Sequence, residues 1–317
     1  MRSMSKIIIG IHGIGNKPPK NLLKEWWLQS INEGLNKLSL SSQHFDFELV
    51  YWADILNKEP LLPDDSSNKN SLYQKEKYAA EQNLPTDEIP SLRKKAVDYL
   101  EKYYEKMIVN GVMSLDYPTI TDLFIHYNVK ELEAYFSKSD FYYQGEKRLI
   151  KEVMMERLTT VLKKHKHKQI LLIAHSMGSM ISHDALMDKA EGITIDTLVT
   201  IGSPLGQKYV MKKIETEHNH NFHNRLKVPE NIKKNWYNLS DPDDPIALVH
   251  LLSDIYKSNS NGVKVIDKLV KNNYVNSGGR NPHKSYGYLR TVEFAEILSN
   301  FLTVEKRSIF LFLKKIF

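Results

Sequence analysis

Apolar residues along this chain alternate between short unbroken runs and a helical period, and the changes outline its elements. Lys6 to Ile11 is a continuous run rich in isoleucine, as a parallel strand buried on both faces requires. Gly13 and Gly15 end it, and over 20–38 the residues Leu22, Leu23, Trp26, Trp27, Ile31, Leu35 and Leu38 recur at helical spacing. Phe45 to Tyr51 reads as a second strand. A helix over 146–164 gathers Leu149, Ile150, Val153, Met154, Leu158, Val161 and Leu162 on one side, and a strand from Ile170 and a helix after Ser176 follow. Further strands are predicted at Ile195–Ile201 and Asn235–Leu239, with a third at Val263–Val270 interrupted by Asp267 and two lysines. A last amphipathic helix spans 286–301. Strands alternating with helices predict a three-layer α/β/α sandwich around a mainly parallel, doubly wound sheet.

One stretch breaks the alternation. Residues 54–145 begin with the loop Pro60–Asn68 and continue in a helical pattern through Leu92, Ala96, Val97, Leu100, Tyr103 and Tyr104. Ten of the 17 tyrosines fall between Tyr73 and Tyr143. The expectation is one domain over 1–317, with 54–145 inserted as a helical cap above the sheet edge. Its aromatics serve mostly as packing, and some are placed to line a pocket.

Composition narrows the class. A hydrophobic share of 41% over 317 residues is ample for a packed core. The net charge of +6 comes from 44 basic and 38 acidic residues interleaved throughout, so it does not single out nucleic acid. Cysteine is absent, which removes disulfides, thiolate metal sites and cysteine nucleophiles together. Met1 to Lys6 runs directly into the first strand, and no apolar run approaches the ~20 residues of a membrane span. A soluble, cytoplasmic protein is expected. The tail Ile309–Phe317 is apolar with Lys314 and Lys315, and it suits burial or peripheral contact with a membrane surface.

The chemistry gathers where strands end. Ile170 to Ala174 leads into His175-Ser176-Met177-Gly178 and then at once into a helical pattern. Small residues two positions either side of Ser176 allow the sharp strand–turn–helix that lifts a serine hydroxyl clear of the backbone. A serine needs a histidine base, a carboxylate to orient it and backbone N–H groups aimed at the developing oxyanion. After the first strand, His12-Gly13-Ile14-Gly15-Asn16 offers such a loop, with Ile14 and Met177 as the two N–H donors. A phosphate loop is the rival there, but Asn16-Lys17-Pro18 replaces the required Lys-Ser/Thr. After Asn235–Leu239 come Asp241, Asp243 and Asp244, any of which fits the acid, in a segment that also reads as a plain turn. The glycine-containing loop 276–286 carries His283 ahead of the last helix.

These pieces, in the order serine, acid, histidine, resemble the α/β-hydrolase superfamily and its lipase/esterase-like serine hydrolases. The resemblance spans 6–301 outside the insertion. It rests on Ile9–Asn16, Val50–Asp54, Ala174–Gly178, Thr200–Pro204, Asp243–Ile246 and His283 with Tyr286–Leu289. Two departures are Ala174 where glycine is usual and the lack of strands before Lys6. The resemblance implies Ser176 as nucleophile, Asp244 as orienting acid and His283 as base, and it selects Asp244 because that aspartate precedes Pro-Ile. It further implies Met177 and Ile14 as oxyanion donors, with His12, Gly13 and His175 beside the substrate. A small-molecule or lipid carboxylic ester is the expected substrate, with no cofactor. Thioesterase, amidase or peptidase chemistry on the same groups is the alternative, as is a silent binding module.

Other polar clusters promise less. His12 is expected to organise its loop by hydrogen bonding, and His175 to serve structure. Ser203 lacks an elbow around it. His218, His220 and His223 form a His-x-His-x-x-His run amid asparagines, with no further carboxylate or cysteine at ligand spacing, which reads as an exposed loop more than a metal site. His165 to Lys168 reads as the solvated end of a helix.

Overall fold

The computed structural model describes residues 4–40, 44–61, 77–81, 129–217, 226–276 and 279–313. The run 92–108, His218, His220 and His223, and the last four residues of the tail lie outside that set, so most of the insertion does too.

Strand β1 (Lys6–Ile11) leads to helix α1 (Lys20–Lys37), strand β2 (Phe47–Val50) and a 3-10 turn at Ala53–Ile55. Within the insertion lies helix α2 (Val129–Phe136), and strands β3 (Phe141–Tyr143) and β4 (Glu146–Arg148) form an antiparallel hairpin at its end. There follow α3 (Ile150–Lys164), β5 (Gln169–His175), α4 (Met177–Asp188), β6 (Ile195–Ile201) and α5 (Lys208–Glu217). After β7 (Leu226–Lys227) come β8 (Ile232–Ser240), β9 (Tyr256–Lys257) and β10 (Val265–Leu269). The chain closes with β11 (Val275–Asn276), β12 (Gly279–Arg280), α6 (Ser285–Leu289) and α7 (Val292–Leu313).

Six strands form one sheet in the order β10-β8-β6-β5-β1-β2, and every neighbouring pair is parallel. The fold is of the α/β-hydrolase-like class. Period-two alternation sends Ile7, Ile9 and Ile11 of β1 with Ile170, Leu172 and Ala174 of β5 to one core. It sends Ile8, Leu171 and Ile173 to the other, with Trp27 of α1 and Phe294 and Leu298 of α7. Fully burying one such side chain contributes roughly 1.5–3 kcal/mol, so a polar substitution on either face of β5 would unseat a whole layer. The chain leaves β1 towards β2 and then crosses to β5 on the other side. The carboxyl ends of β1 and β5 therefore flank the crevice in which such sheets bind ligands.

Three details depart from the sequence expectations. The helix predicted from 146 starts at Ile150, because Gln144 and Gly145 take φ of 52° and 87° and turn β3 back along β4; two positive-φ residues make the tight hairpin turn whose twist suits the strands. The helix predicted over 286–301 is interrupted at Arg290 and Thr291. Arg290 is buried there against Asn273 and Glu33, while Thr291 Oγ1 caps the new helix by accepting the Phe294 N–H at 3.3 Å. His165 is not solvated: it is buried and bonds Glu48 of β2 at 2.6 Å. The interrupted run 263–270 is a strand at the sheet edge, where Asp267 accepts from Asn238, Leu252 and Ser253. Among the described residues no helix is long and apolar enough to cross a membrane.

Candidate active site

Ser176 stands between β5 and α4 with φ 53° and ψ −126°, a left-handed conformation that an L-residue adopts only under constraint. The constraint is visible. Its N–H donates to the Ile201 carbonyl at 3.1 Å, and Ser179 Oγ donates to its carbonyl at 2.6 Å. Behind it α4 presses directly on β1: a Cβ on Gly178 would lie 2.7 Å from the His12 carbonyl oxygen and 2.8 Å from that of Ile11. Gly13 faces Ser176 just as closely, since a Cβ there would sit 2.7 Å from the serine Cβ. Ala174, the alanine in place of glycine, is fully buried in β5.

His283 and Asp244 arrive from opposite loops. His283 Nε2 accepts from Ser176 Oγ at 2.9 Å, and its Nδ1–H donates to both Asp244 oxygens at 2.9 Å. That pairing fixes the imidazole tautomer. Asp244 is fully buried, and four groups donate to it: His283, the N–H groups of Ile246 and Ala247, and the Tyr288 hydroxyl at 2.6 Å. Burial, then the adjacent Asp244 charge, holds the Tyr288 hydroxyl protonated far above its ordinary range. The other two aspartates do different work. Asp241 accepts the Asn272 N–H and bonds Arg280 at 3.2 Å, while Asp243 bonds Arg280 at 2.5 Å. Both tie down the histidine loop and neither reaches His283.

The loop after β1 is equally organised. His12 stacks on Trp52 with 4.8 Å between ring centroids. Its Nε2 accepts the Trp52 N–H at 3.0 Å, so Nδ1 carries the proton and donates to the Gly13 carbonyl at 2.8 Å. Burial, reinforced by nearby Lys17, lowers its pKa to about 3; His12 is neutral at any working pH. His175 is likewise kept neutral by burial and by His283, and its Nε2–H donates to the His283 carbonyl at 2.8 Å. Both imidazoles hold backbone in place. Met177 N–H sits in the first turn of α4, where no intrahelical acceptor exists.

A cleft of about 790 Å³, mouth included, opens on Ser176. His12, Ile14, His175, Met177 and His283 line it, with Leu132 from α2 and the apolar Met180, Val210 and Ile246. Segment 54–145 therefore reaches the site through Leu132. The described tyrosines of that segment do not line it: Tyr135 is buried with its hydroxyl on Asp184 at 2.7 Å, Tyr143 accepts from Arg157, and Tyr142 is exposed. Ser203 is buried 2.8 Å from Ser179 Oγ and accepts the Leu205 N–H. Among the described residues no group of three or more His, Asp or Glu side chains is placed to hold a metal ion.

Sequence reasoning misses two residues. Tyr288 reads as part of an amphipathic helix and of the stretch behind His283, and nothing in its spacing says that its hydroxyl meets a carboxylate. Asn272 is fully buried, and its Nδ2 donates to the carbonyls of Pro282 and Lys284 at 2.7 and 2.9 Å, on either side of His283. The one sequence signal for it is Gly287, where any Cβ would fall 1.6 Å from Asn272 Oδ1.

Residues 143–277 match the family described as a PGAP1-like alpha/beta domain. An α/β-hydrolase-like domain is present in this part of the chain. The matched segment contains Ser176 and Asp244 and ends before His283. No curated protein matches. An uncharacterized protein from Bacillus cereus ATCC 10987, known from a crystal structure, aligns at 10% identity with a TM-score of 0.35 over 96% of this chain, which spans 60% of that protein's length.

Proposed function

We propose that this protein is a serine hydrolase that cleaves carboxylic esters through an acyl-enzyme on Ser176. The observation that carries the reading is the buried chain Ser176 Oγ, His283 and Asp244, each link 2.9 Å, with strained backbone only at the serine among the three. In this mechanism Ser176 Oγ attacks the ester carbonyl while its proton passes to His283 Nε2. The carbonyl oxygen gains negative charge and takes hydrogen bonds from the N–H groups of Met177 and Ile14. His283 returns the proton to the departing alcohol, leaving the acyl group on Ser176. Water then attacks the acyl-enzyme by the same sequence, giving the acid and free serine. Asp244 stabilises the imidazolium without taking its proton.

The apolar wall of Leu132, Met180, Val210 and Ile246 supports a substrate with a medium or long acyl chain. p-Nitrophenyl esters of increasing length test both points, and kcat/KM should rise from acetate towards longer acyl chains. A fluorophosphonate should label Ser176 alone. Labelling at Ser203, or no turnover of any ester, thioester or amide, would overturn the reading and leave a binding module on a hydrolase-like fold.

A further inference from the structure

Glu131, in the first turn of α2, accepts the N–H of Gly15 on Oε2 at 2.7 Å. Partners 116 positions apart in sequence are thus joined, one in the insertion and one in the loop after β1. The other end of the same peptide group is held as well, since the Ile14 carbonyl accepts from Lys17 Nζ at 2.6 Å. The Ile14–Gly15 peptide therefore lies between an ammonium on its oxygen and a carboxylate on its N–H, and both bonds are charge-assisted. The preceding peptide is fixed by His12 on the Gly13 carbonyl. With both peptide planes held, the direction of the Ile14 N–H is set. Gly15 has φ +91°, where glycine moves easily, so the loop needs an external tie and Glu131 supplies it.

The same helix is anchored to the other donor's helix. Tyr135 of α2 donates to Asp184 of α4, whose carboxylate also pairs with Lys151 at 2.6 Å. Met177 opens α4. We infer that Glu131 is a positioning residue for the oxyanion hole, so that docking of α2 is coupled to stabilisation of the tetrahedral intermediate. The inference rests on the serine-hydrolase reading above. Glu131 touches no reacting atom; it acts through the loop, and displacing an oxyanion donor by about 1 Å is enough to cost up to ~10²-fold in rate.

The test uses the full chain with a p-nitrophenyl ester, and an alkylboronic acid as mimic of the tetrahedral adduct. Glu131→Ala should lower kcat about ten- to a hundredfold with KM within about twofold, and should weaken boronate binding in parallel. Glu131→Gln keeps an acceptor oxygen and should stay within about threefold of wild type, while Glu131→Asp, one methylene short, should fall between. If Glu131→Ala does not fold, the order Gln above Asp in kcat carries the test. Wild-type kcat in both Glu131→Ala and Glu131→Asp would overturn the inference, as would a loss confined to KM, which would make Glu131 a pocket wall only. A wild type that neither turns over ester nor takes fluorophosphonate at Ser176 would instead defeat the hydrolase reading.

Discussion

Ser176 and His283 meet across one cleft, yet the segments that carry them are held by different means. The serine side is a backbone construction. Its turn forms within five residues, Ala174 to Gly178, and is wedged by atoms of β1 that cannot move without moving the sheet. The histidine side is a side-chain construction. Asn272, Asp241, Arg280 and Tyr288 reach across 10–47 residues of sequence to seat the loops of Asp244 and His283. The first should resist polar substitution and fail on added bulk. The second should tolerate some bulk and fail when a donor or acceptor is removed, because a buried polar group left unpaired costs about 1–3 kcal/mol.

The largest expected effects set the baseline on both sides. Ser176→Ala should reduce ester turnover by ~10⁴-fold or more with the fold intact, checked by circular dichroism and loss of fluorophosphonate labelling. Asp244→Asn should approach ~10⁴-fold in kcat, because an amide no longer holds the useful tautomer of His283. Asp241→Asn and Asp243→Asn should cost much less, and equal losses at all three would mean that the loop matters only as a turn.

The comparison sharpens with one methyl group placed on each side. At Gly178 an added Cβ meets backbone oxygens of Ile11 and His12, so Gly178→Ala should lower stability by about 1–3 kcal/mol, read by thermal or urea unfolding. At Gly287 it meets the buried Asn272 side chain and the Tyr274 Cβ, and displacing that amide releases the carbonyls flanking His283. Gly287→Ala should therefore lower kcat by about tenfold or more. A Gly287→Ala enzyme with wild-type kcat would break the contrast.

Tyr288→Phe is a smaller cut on the histidine side. It removes one of four donors to Asp244 and the acceptor of the Asp241 N–H. We expect kcat to fall about tenfold with KM unchanged.

The subtlest effect belongs to His12. Its folded pKa is about 3 against 6.5 in the unfolded chain, so between those values only the unfolded state takes up this proton. The stability linked to His12 is fully present above pH 6.5 and is lost progressively as pH falls towards 3, by at most ~1.4 kcal/mol per pH unit. His175 acts in the same direction. His12→Gln should flatten the decline of Tm between pH 6 and pH 4; an unchanged slope would show that other groups carry it.

The serine side is largely legible in the residue order, because local rules govern it. An apolar run of the right length, small residues around Ser176 and an immediate helical period leave few alternatives to a strand–turn–helix. The histidine side is legible only in outline. Three aspartates fit the acid equally well by their own spacing, and resemblance alone prefers Asp244, the one the fold brings against His283. The expected continuous helix over 286–301 misses its interruption because Arg290 is drawn into the core by partners far along the chain, a tertiary demand that outweighs helical propensity.

What the sequence determined by itself, then, is the layered parallel sheet and the serine turn, since both follow from periodicity and sterics among near neighbours. Tertiary structure decided which carboxylate meets the histidine, which hydroxyl and amide hold that pair, and that Glu131 of the insertion ties the loop after β1. Those contacts span between 10 and 116 residues of sequence. They depend on side-chain direction and distance at the ends of separate strands, and residue spacing along a chain carries no record of either.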